Sequence, residues 1–132
     1  VGAFHGSETF PLPEAANWQF LGRVPPEKTR MLMRACRAVI FTSEYEGFGM
    51  PPVEAALSGS CPVYSHIPPM REVMREAGFA FDNDRYESFR EAMDKALQAP
   101  EPVIQGWAGE LSRRHAWPAV SDRIVRALVS AA

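Results

Sequence analysis

The sequence has little that would suit it to a membrane or to nucleic acid. Its longest apolar runs, such as Ala38–Phe41, fall far short of the ~20 residues that a membrane span needs. No charged-then-apolar leader opens the chain. The formal net charge of -2 provides no overall attraction to nucleic acid or to an anionic membrane. We therefore expect a soluble, cytoplasmic domain without a nucleic-acid partner.

Residues that commonly bind metals are also scarce. Cys36 and Cys61 lie in apparent core segments and have no companion ligands at metal spacing, so we predict two buried free thiols in a reducing compartment. The three histidines, His5, His66 and His115, are far apart and show no ligand spacing. No metal site is predicted from either residue type.

The length of 132 residues is that of one domain, and we treat residues 1–132 as a single unit. With 46% hydrophobic and 23% charged residues, the composition is that of an ordinary globular protein. The chain begins with an apparent strand at residues 1–4, without a methionine or a preceding cap. We interpret it as a piece cut from a longer protein.

Short apolar runs alternate with amphipathic stretches of helical length, a pattern typical of βαβ units around a parallel sheet. It predicts an α/β fold with a doubly wound sheet of about five strands. The predicted strands are residues 1–4, 18–21, 38–42, 62–65 and 79–81. The predicted helices are residues 25–37, 51–58, 69–77, 86–99, 103–115 and 118–129.

The first predicted helix begins with proline and carries apolar residues at helical spacing, which indicate its buried face. These residues are Met31, Leu32, Ala35 and Cys36. Its arginines fall elsewhere and are interpreted as a solvated face, with phosphate binding as the alternative. They are Arg30, Arg34 and Arg37.

The segment from Glu44 to Glu54 carries the clearest chemistry. Glu46 and Glu54 bracket a glycine-rich turn and a Pro-Pro helix start. Carboxylates accept hydrogen bonds from vicinal hydroxyls, while Gly47 and Gly49 let the backbone approach a ligand closely. Free N–H groups at a helix N-terminus attract anions. Because the segment follows a predicted parallel strand, it lies at the sheet edge where such folds bind ligands, and we predict a sugar-nucleotide pocket.

The order of segments resembles a group 1 glycosyltransferase of family 4. The resemblance is carried by Phe-Leu-Gly-Arg-Val at 20–24, the strand at 38–43, the two glutamates around Gly-Phe-Gly, Gly-Ser-Cys-Pro-Val at 59–63, Arg-Glu-Val at 71–73 and Ala-Gly at 77–78. It covers almost the whole chain. It implies a Rossmann-like three-layer α/β/α domain, the C-terminal half of a GT-B architecture, which binds a UDP- or GDP-sugar donor.

The family resemblance also implies roles for individual residues. Glu46 would lie near hydroxyls of the transferred sugar as the catalytic residue, and Glu54 would accept hydrogen bonds from the ribose. The donor-binding residues implied are Glu46, Gly47, Phe48, Gly49, Met50 and Glu54. Sugar transfer would retain the anomeric configuration and need neither metal nor other cofactor, since cationic groups and helix dipoles can stabilise the leaving diphosphate.

Two parts of the complete enzyme are expected elsewhere. The family's diphosphate-binding Arg and Lys, and its acceptor-binding N-terminal domain, would lie upstream of Val1. We therefore expect the isolated chain to be inactive, or nearly so, and to meet a membrane peripherally only through a full-length protein. The alternatives are a sugar-nucleotide epimerase of the same architecture and a non-catalytic nucleotide-binding subunit of a split enzyme.

Weaker candidates lie at other predicted strand ends. Arg23 follows one strand near the expected nucleobase, and His66 follows another on the same edge as the glutamate loop; the loop His5-Gly-Ser7 has a similar place. The acidic triplet at 82–84 directly precedes a predicted helix, so we interpret it as an N-cap rather than a metal site.

The tryptophans near the C-terminus have a structural interpretation. We predict that Trp107 and Trp117 pack the terminal helices onto the sheet. The resemblance implies that the last helix reaches toward another domain, so an exposed apolar patch is expected there.

Overall fold

The computed structural model describes Gln19 and residues 21–130. These residues form a mixed α/β fold of alternating strands and helices. In chain order the elements are α1 (Pro26–Ala35), β1 (Ala38–Phe41), α2 (Met50–Leu57), β2 (Cys61–Ser65), α3 (Pro68–Met74), β3 (Phe79–Phe81), α4 (Tyr86–Gln98), α5 (Glu101–His115) and α6 (Trp117–Ser130).

The strands form a parallel sheet in the order β1-β2-β3. Ala38 of β1 pairs with Cys61 of β2, and Val63 of β2 pairs with Phe79 of β3. All five residues of β2 are buried, as expected for a parallel strand covered on both faces. Every parallel connection needs a crossover, and α2 and α3 provide them.

Two hydrophobic cores lie against the sheet because neighbouring side chains of β2 point to opposite faces. The α2-side core contains Val53, Ala56, Tyr64, Met70, Val73, Met74, Ala77 and Leu111. The α4-side core contains Cys61, Val63, Phe81, Ala92, Ala96, Ala99 and Ile104. Helices thus cover both faces, and the predicted α/β fold class is confirmed.

Trp107 of α5 is half-buried and packs against both cores, and its ring meets Phe79 edge-on at a centroid distance of 5.6 Å. The packing predicted for this tryptophan is confirmed. The prediction for Trp117 is wrong, because this side chain is 77% exposed. Ala116 is extended and ends α5, so Trp117 starts a new helix that packs mainly on α5 rather than on the sheet.

The sheet is smaller in the described residues than predicted. Three strands match the predictions at 38–42, 62–65 and 79–81 to within a residue at each end. The predicted strand at 1–4 lies outside the described residues. Of the one at 18–21, Gln19 and Leu21 are described, and neither is in a strand.

The buried face predicted for α1 is wrong. Met33 is its buried residue, whereas Met31 is 69% exposed and Ala35 is also exposed. Met33 is buried where the end of the helix meets the turn after α2, a contact between distant segments that apolar spacing does not reveal. There the buried Ser60 hydroxyl donates to the carbonyls of Met33 and of Cys36, the latter at 2.9 Å.

The prediction that both cysteines are buried is correct for only one of them. Cys36 is exposed at the end of α1, so its predicted burial is wrong. Cys61 is buried as predicted, and burial raises the pKa of its thiol to about 11, although Arg37 opposes the shift. Arg37 is not simply part of a solvated face, because its Nε donates to the Leu97 carbonyl at 3.2 Å.

The last helix, α6, has no buried residue. Its exposed large apolar side chains are Trp117, Ile124, Val125, Leu128 and Val129. The apolar surface expected on this helix is therefore present. Within residues 21–130, no helix combines the length and the apolar character that crossing a membrane requires.

Candidate functional site

The loop between β1 and α2 ends at a glycine that no other residue could replace without strain. Gly49 is the N-cap of α2, is buried, and has a φ of 83°, in the left-handed region. A Cβ added there would lie 2.5 Å from the Sδ atom of Met70. Gly47 differs, since a Cβ added to it would meet nothing within 4 Å. The glycine-rich turn thus has one structurally fixed glycine and one open glycine.

The start of α2 offers fewer N–H donors than an ordinary helix. Met50 is its first residue, and the prolines at 51 and 52 have no backbone N–H. The donors available at this helix entrance are therefore the amides of Phe48, Gly49 and Met50, three of the donor-binding residues that the family resemblance implies. Pro52 and Val53 are buried and attach this first turn to the protein.

Glu46 is held by its own loop. The Ser43 hydroxyl donates to Glu46 Oε1 at 2.8 Å, and both side chains are partly buried. Between them, Glu44 and Tyr45 are exposed, the tyrosine by 89%. The carboxylate of Glu46 is thus tethered within a segment that otherwise faces solvent.

Glu54 lies one helix turn after Met50 and is exposed. It lines a cavity of about 570 Å³ between α1 and α2. The other lining residues are Val24, Pro26, Thr29, Arg30, Met33, Arg34, Leu57 and Ser58. Glu46 is not among them, so the two glutamates stand at opposite ends of their segment rather than in one cavity. Arg23 is exposed and lies outside this lining, although its neighbour Val24 is part of it.

Phe48 is 50% exposed, and its ring meets the ring of His115 edge-on at a centroid distance of 5.7 Å. This contact joins the glycine-rich turn to the end of α5. The pKa of His115 is lowered, mainly by burial and also by nearby arginines, against the opposing effect of a hydrogen bond with the Val73 carbonyl. These arginines are Arg114, Arg123 and Arg75. The imidazole that packs on Phe48 is accordingly neutral at neutral pH.

His66 follows β2 directly, and its backbone N–H donates to the Phe81 carbonyl at 2.7 Å. Its exposed side chain lines two cavities. One, of about 430 Å³, gathers residues that follow all three strands, namely Glu44, His66, Ile67, Asp82, Asn83 and Asp84. The other, of about 810 Å³, is lined by Tyr64, His66, Pro68, Arg71, Glu72, Arg75, Glu76, Ala80 and Glu110. His66 shares the first cavity with Glu44 rather than with Glu46.

The acidic triplet does not cap α4, so that prediction is wrong. The N-cap is Arg85, which makes no side-chain cap hydrogen bond. Asp82 Oδ1 instead accepts from the Asp84 N–H at 3.1 Å, and the Asn83 side chain lies 2.8 Å from Ser65 Oγ. The Asp82 carboxylate thus accepts a hydrogen bond within the loop and not from the first turn of α4. Among the described residues, no group of three or more His, Cys, Asp or Glu side chains is placed to hold a metal ion.

Three residues around the glycine-rich turn were missed in the sequence. Ser43 lies three residues before Glu46, and this short spacing is a signal that could have indicated their hydrogen bond. Met70 and His115 come from α3 and α5, and no local pattern links them to Gly49 or Phe48. The loop His5-Gly-Ser7 lies outside the described residues.

Comparison with known proteins identifies the family of the chain. Residues 13–105 match the family model described as glycosyl transferases group 1. The chain is 34% identical over 80 residues to O-antigen chain mannosyltransferase B of Escherichia coli, which covers 61% of the chain and 21% of that protein. It is 30% identical over 84 residues to O-antigen chain mannosyltransferase RfbU of Salmonella typhimurium, a match that covers 64% of the chain and 24% of that protein.

A third relative is the serotype-specific mannosyltransferase WbdA of Escherichia coli. It is 32% identical over 78 residues, which are 59% of the chain and 10% of that protein. The matched region spans about a quarter or less of the length of each of these relatives. The family match covers well over half of the chain, from before α1 to the start of α5. The chain belongs to the group 1 glycosyltransferase family.

Proposed function

We propose that this chain binds the nucleotide-sugar donor of a retaining glycosyltransferase. The observation that carries the proposal is the cavity of about 570 Å³ beside α2, which the Glu54 carboxylate lines. Its volume falls within the range of about 300–1,000 Å³ typical of small-ligand sites. The cavity is next to the helix whose entrance presents the amides of the glycine-rich turn.

The donor would lie along the segment from Glu54 to Glu46. Glu54 would accept hydrogen bonds from the ribose hydroxyls, with the nucleobase toward α1. The amides of Phe48, Gly49 and Met50 would face the diphosphate, aided by the dipole of α2. Glu46 would accept hydrogen bonds from the transferred sugar. The separation of the two carboxylates supports this assignment, because a nucleotide sugar presents hydroxyls at both ends and anionic charge between them.

The transfer itself would proceed by attack on the same face from which the diphosphate leaves. The departing diphosphate would take the proton of the acceptor hydroxyl, so no strong base is needed from this chain. The groups around the segment would contribute by stabilising negative charge on the leaving group. We propose that this requires no metal ion, and chelation of divalent cations should leave donor binding unchanged.

The relatives guide the choice of donor and the extent of the active unit. Because they are named as mannosyltransferases, a nucleotide carrying mannose is the first donor to test, with GDP and UDP as the leading nucleotides. Since these relatives are several times longer than the matched region, we assign acceptor binding to other polypeptide. The 132-residue chain alone should therefore bind donor weakly and transfer no sugar.

A cytoplasmic location is part of this proposal, and unpaired thiols such as Cys36 and Cys61 support it.

The test is a parallel titration of the chain with GDP, UDP and ADP, followed by backbone amide chemical shifts. We expect one nucleotide to shift the amide signals of residues 48–50 and 53–54 in a saturable way, since Pro51 and Pro52 have no amide proton. Glu54→Gln should lower the affinity for that nucleotide about tenfold, because a charged acceptor of hydrogen bonds from the ribose hydroxyls is lost. Glu87→Gln, an exposed glutamate in the first turn of α4, is the matched control. Absence of saturable binding by all three nucleotides would overturn the proposal.

A further inference from the structure

We propose that Ser43 is a positioning residue for Glu46, fixing its carboxylate in the direction in which the sugar hydroxyls approach. This inference rests on the proposed function. It starts from the 2.8 Å hydrogen bond that the Ser43 hydroxyl donates to Glu46 Oε1. Ser43 does not contact the donor in this arrangement and acts only through the glutamate.

The tether matters because the surrounding segment is on the surface. Glu44 and Tyr45, between the two partners, are exposed. A glutamate in such a place normally samples many rotamers and must lose that freedom when a ligand binds. Ser43 stands two residues after β1, which is paired along its length with the buried strand β2. Its hydroxyl therefore links Glu46 to the rigid sheet and reduces the entropy lost on binding.

The hydrogen bond also distinguishes the two carboxylate oxygens. Oε1 accepts the hydrogen bond from the Ser43 hydroxyl, while within residues 21–130 Oε2 accepts no hydrogen bond and forms no ion pair. A carboxylate has about four lone-pair sites, so Glu46 keeps acceptor capacity on both oxygens after this contact. With one oxygen fixed, the other has a defined direction, which suits the recognition of neighbouring hydroxyls on one sugar.

A plain structural role predicts different behaviour. If the hydrogen bond only stabilised the loop, its loss would weaken the binding of nucleotide and of nucleotide sugar equally, or would only lower the free energy of unfolding. If it positions Glu46, its loss should weaken binding of the sugar and spare binding of the nucleotide, since the ribose is assigned to Glu54. The ratio between the affinities for a nucleotide sugar and for its nucleotide separates the two roles.

The first measurement uses the free protein and requires no ligand. Side-chain three-bond couplings of Glu46 report whether it has one χ1 rotamer or an average. We expect a single rotamer in the unaltered chain and in Ser43→Thr, which keeps the hydroxyl, and averaging in Ser43→Ala. Ser121→Ala is the matched control, because the Ser121 hydroxyl donates to the Pro118 carbonyl at 3.0 Å in α6, away from the glycine-rich turn. An averaged Glu46 in the unaltered chain would overturn the inference.

The second measurement compares GDP-mannose with GDP, and a UDP-sugar with UDP, by calorimetry. Ser43→Ala should lower the affinity for the sugar nucleotide about threefold to tenfold and leave that for the nucleotide unchanged. Ser43→Thr and Ser121→Ala should change neither. Equal losses for both ligands would overturn the inference. If no ligand binds the unaltered chain, the proposed function fails, and the Glu46 couplings alone decide whether Ser43 fixes this side chain.

Discussion

The segment from Glu46 to Glu54 has two halves that are held in opposite ways. In the loop half, residues 46–49, the backbone at Gly47 meets open space, yet the Glu46 carboxylate is tethered by Ser43. In the helix half, residues 50–54, the backbone is anchored by buried Val53, while the Glu54 side chain extends into solvent beside a cavity. A fixed carboxylate on an exposed loop and a free carboxylate on a fixed helix can thus flank one ligand.

Gly49 joins the two halves, and its substitution should have the largest effect on stability of any within the segment. Gly49→Ala would place a β-carbon in a left-handed conformation and 2.5 Å from Met70 Sδ. The conformation costs about 1–2 kcal/mol and the overpacking about 1–3 kcal/mol. We expect the free energy of unfolding to fall by about 2–5 kcal/mol, measured by urea denaturation.

Two further variants separate these causes. Gly47→Ala is the matched control, and with open space around it and no left-handed φ it should change stability by less than about 1 kcal/mol. Met70→Ala alone should cost about 2–5 kcal/mol, since this side chain is fully buried. Combined with Gly49→Ala it should cost less than the sum, because it makes room for the new β-carbon. Strict additivity would show that contact with Met70 is not the cause.

The positions of the elements could be predicted from the sequence because their signals are local. The three-residue strand at 79–81 and the proline-led start of α2 match the structure closely. The buried face of α1 could not be predicted in this way, because Met33 is buried where the end of the helix meets Ser60, which lies 27 residues further along the chain. Apolar spacing alone shows that a helix has several apolar residues, not which of them meets a distant turn.

The same division holds at the site. The location of Glu46 after a parallel strand and of Glu54 on the following helix could be read from spacing, and the structure has them there. The packing of Met70 against Gly49 and of His115 against Phe48 could not be predicted from the sequence, because each contact joins elements far apart in the chain. The lack of N–H donors at Pro51 and Pro52 follows from the sequence and leaves the amides of residues 48–50 at the entrance of α2.

A pH titration tests whether the core beneath the helix half is dry. Tyr64 lies in the same α2-side core as Val53 and Met70, and burial, with a smaller effect of Glu76, raises its pKa to about 12. The fold therefore favours the neutral phenol. In the unfolded chain this phenol ionises near pH 10, so the contribution of Tyr64 to stability should be unchanged below that pH and should fall by roughly 2 kcal/mol between pH 10 and pH 12. The raised pKa of Cys61 adds a separate loss between pH 9 and pH 11, which Tyr64→Phe shares.

Tyr64→Phe provides the comparison for this titration. It removes the ionisable group while keeping the ring, so its stability should decline less over the same pH range. Urea denaturation at each pH, together with the ultraviolet absorbance of the phenolate, measures both quantities. The exposed Tyr45 and Tyr86 also contribute phenolate absorbance, so the signal of Tyr64 is the difference between the unaltered chain and Tyr64→Phe. A difference already present in the folded proteins at pH 10 would show that water reaches Tyr64 and that the helix half rests on a looser core.

The smallest effect separates the two carboxylates directly. Glu46→Ala removes the acceptor of the Ser43 hydroxyl and should cost about 0.5–1.5 kcal/mol of unfolding free energy. Glu54→Ala replaces an exposed helical side chain by the residue with the best helix propensity, so stability should change by less than about 0.5 kcal/mol in either direction. Urea denaturation at neutral pH measures the change in unfolding free energy for both variants. Equal losses would mean that Glu46 is as free in solution as Glu54, and the contrast between a tethered and a free carboxylate would then disappear.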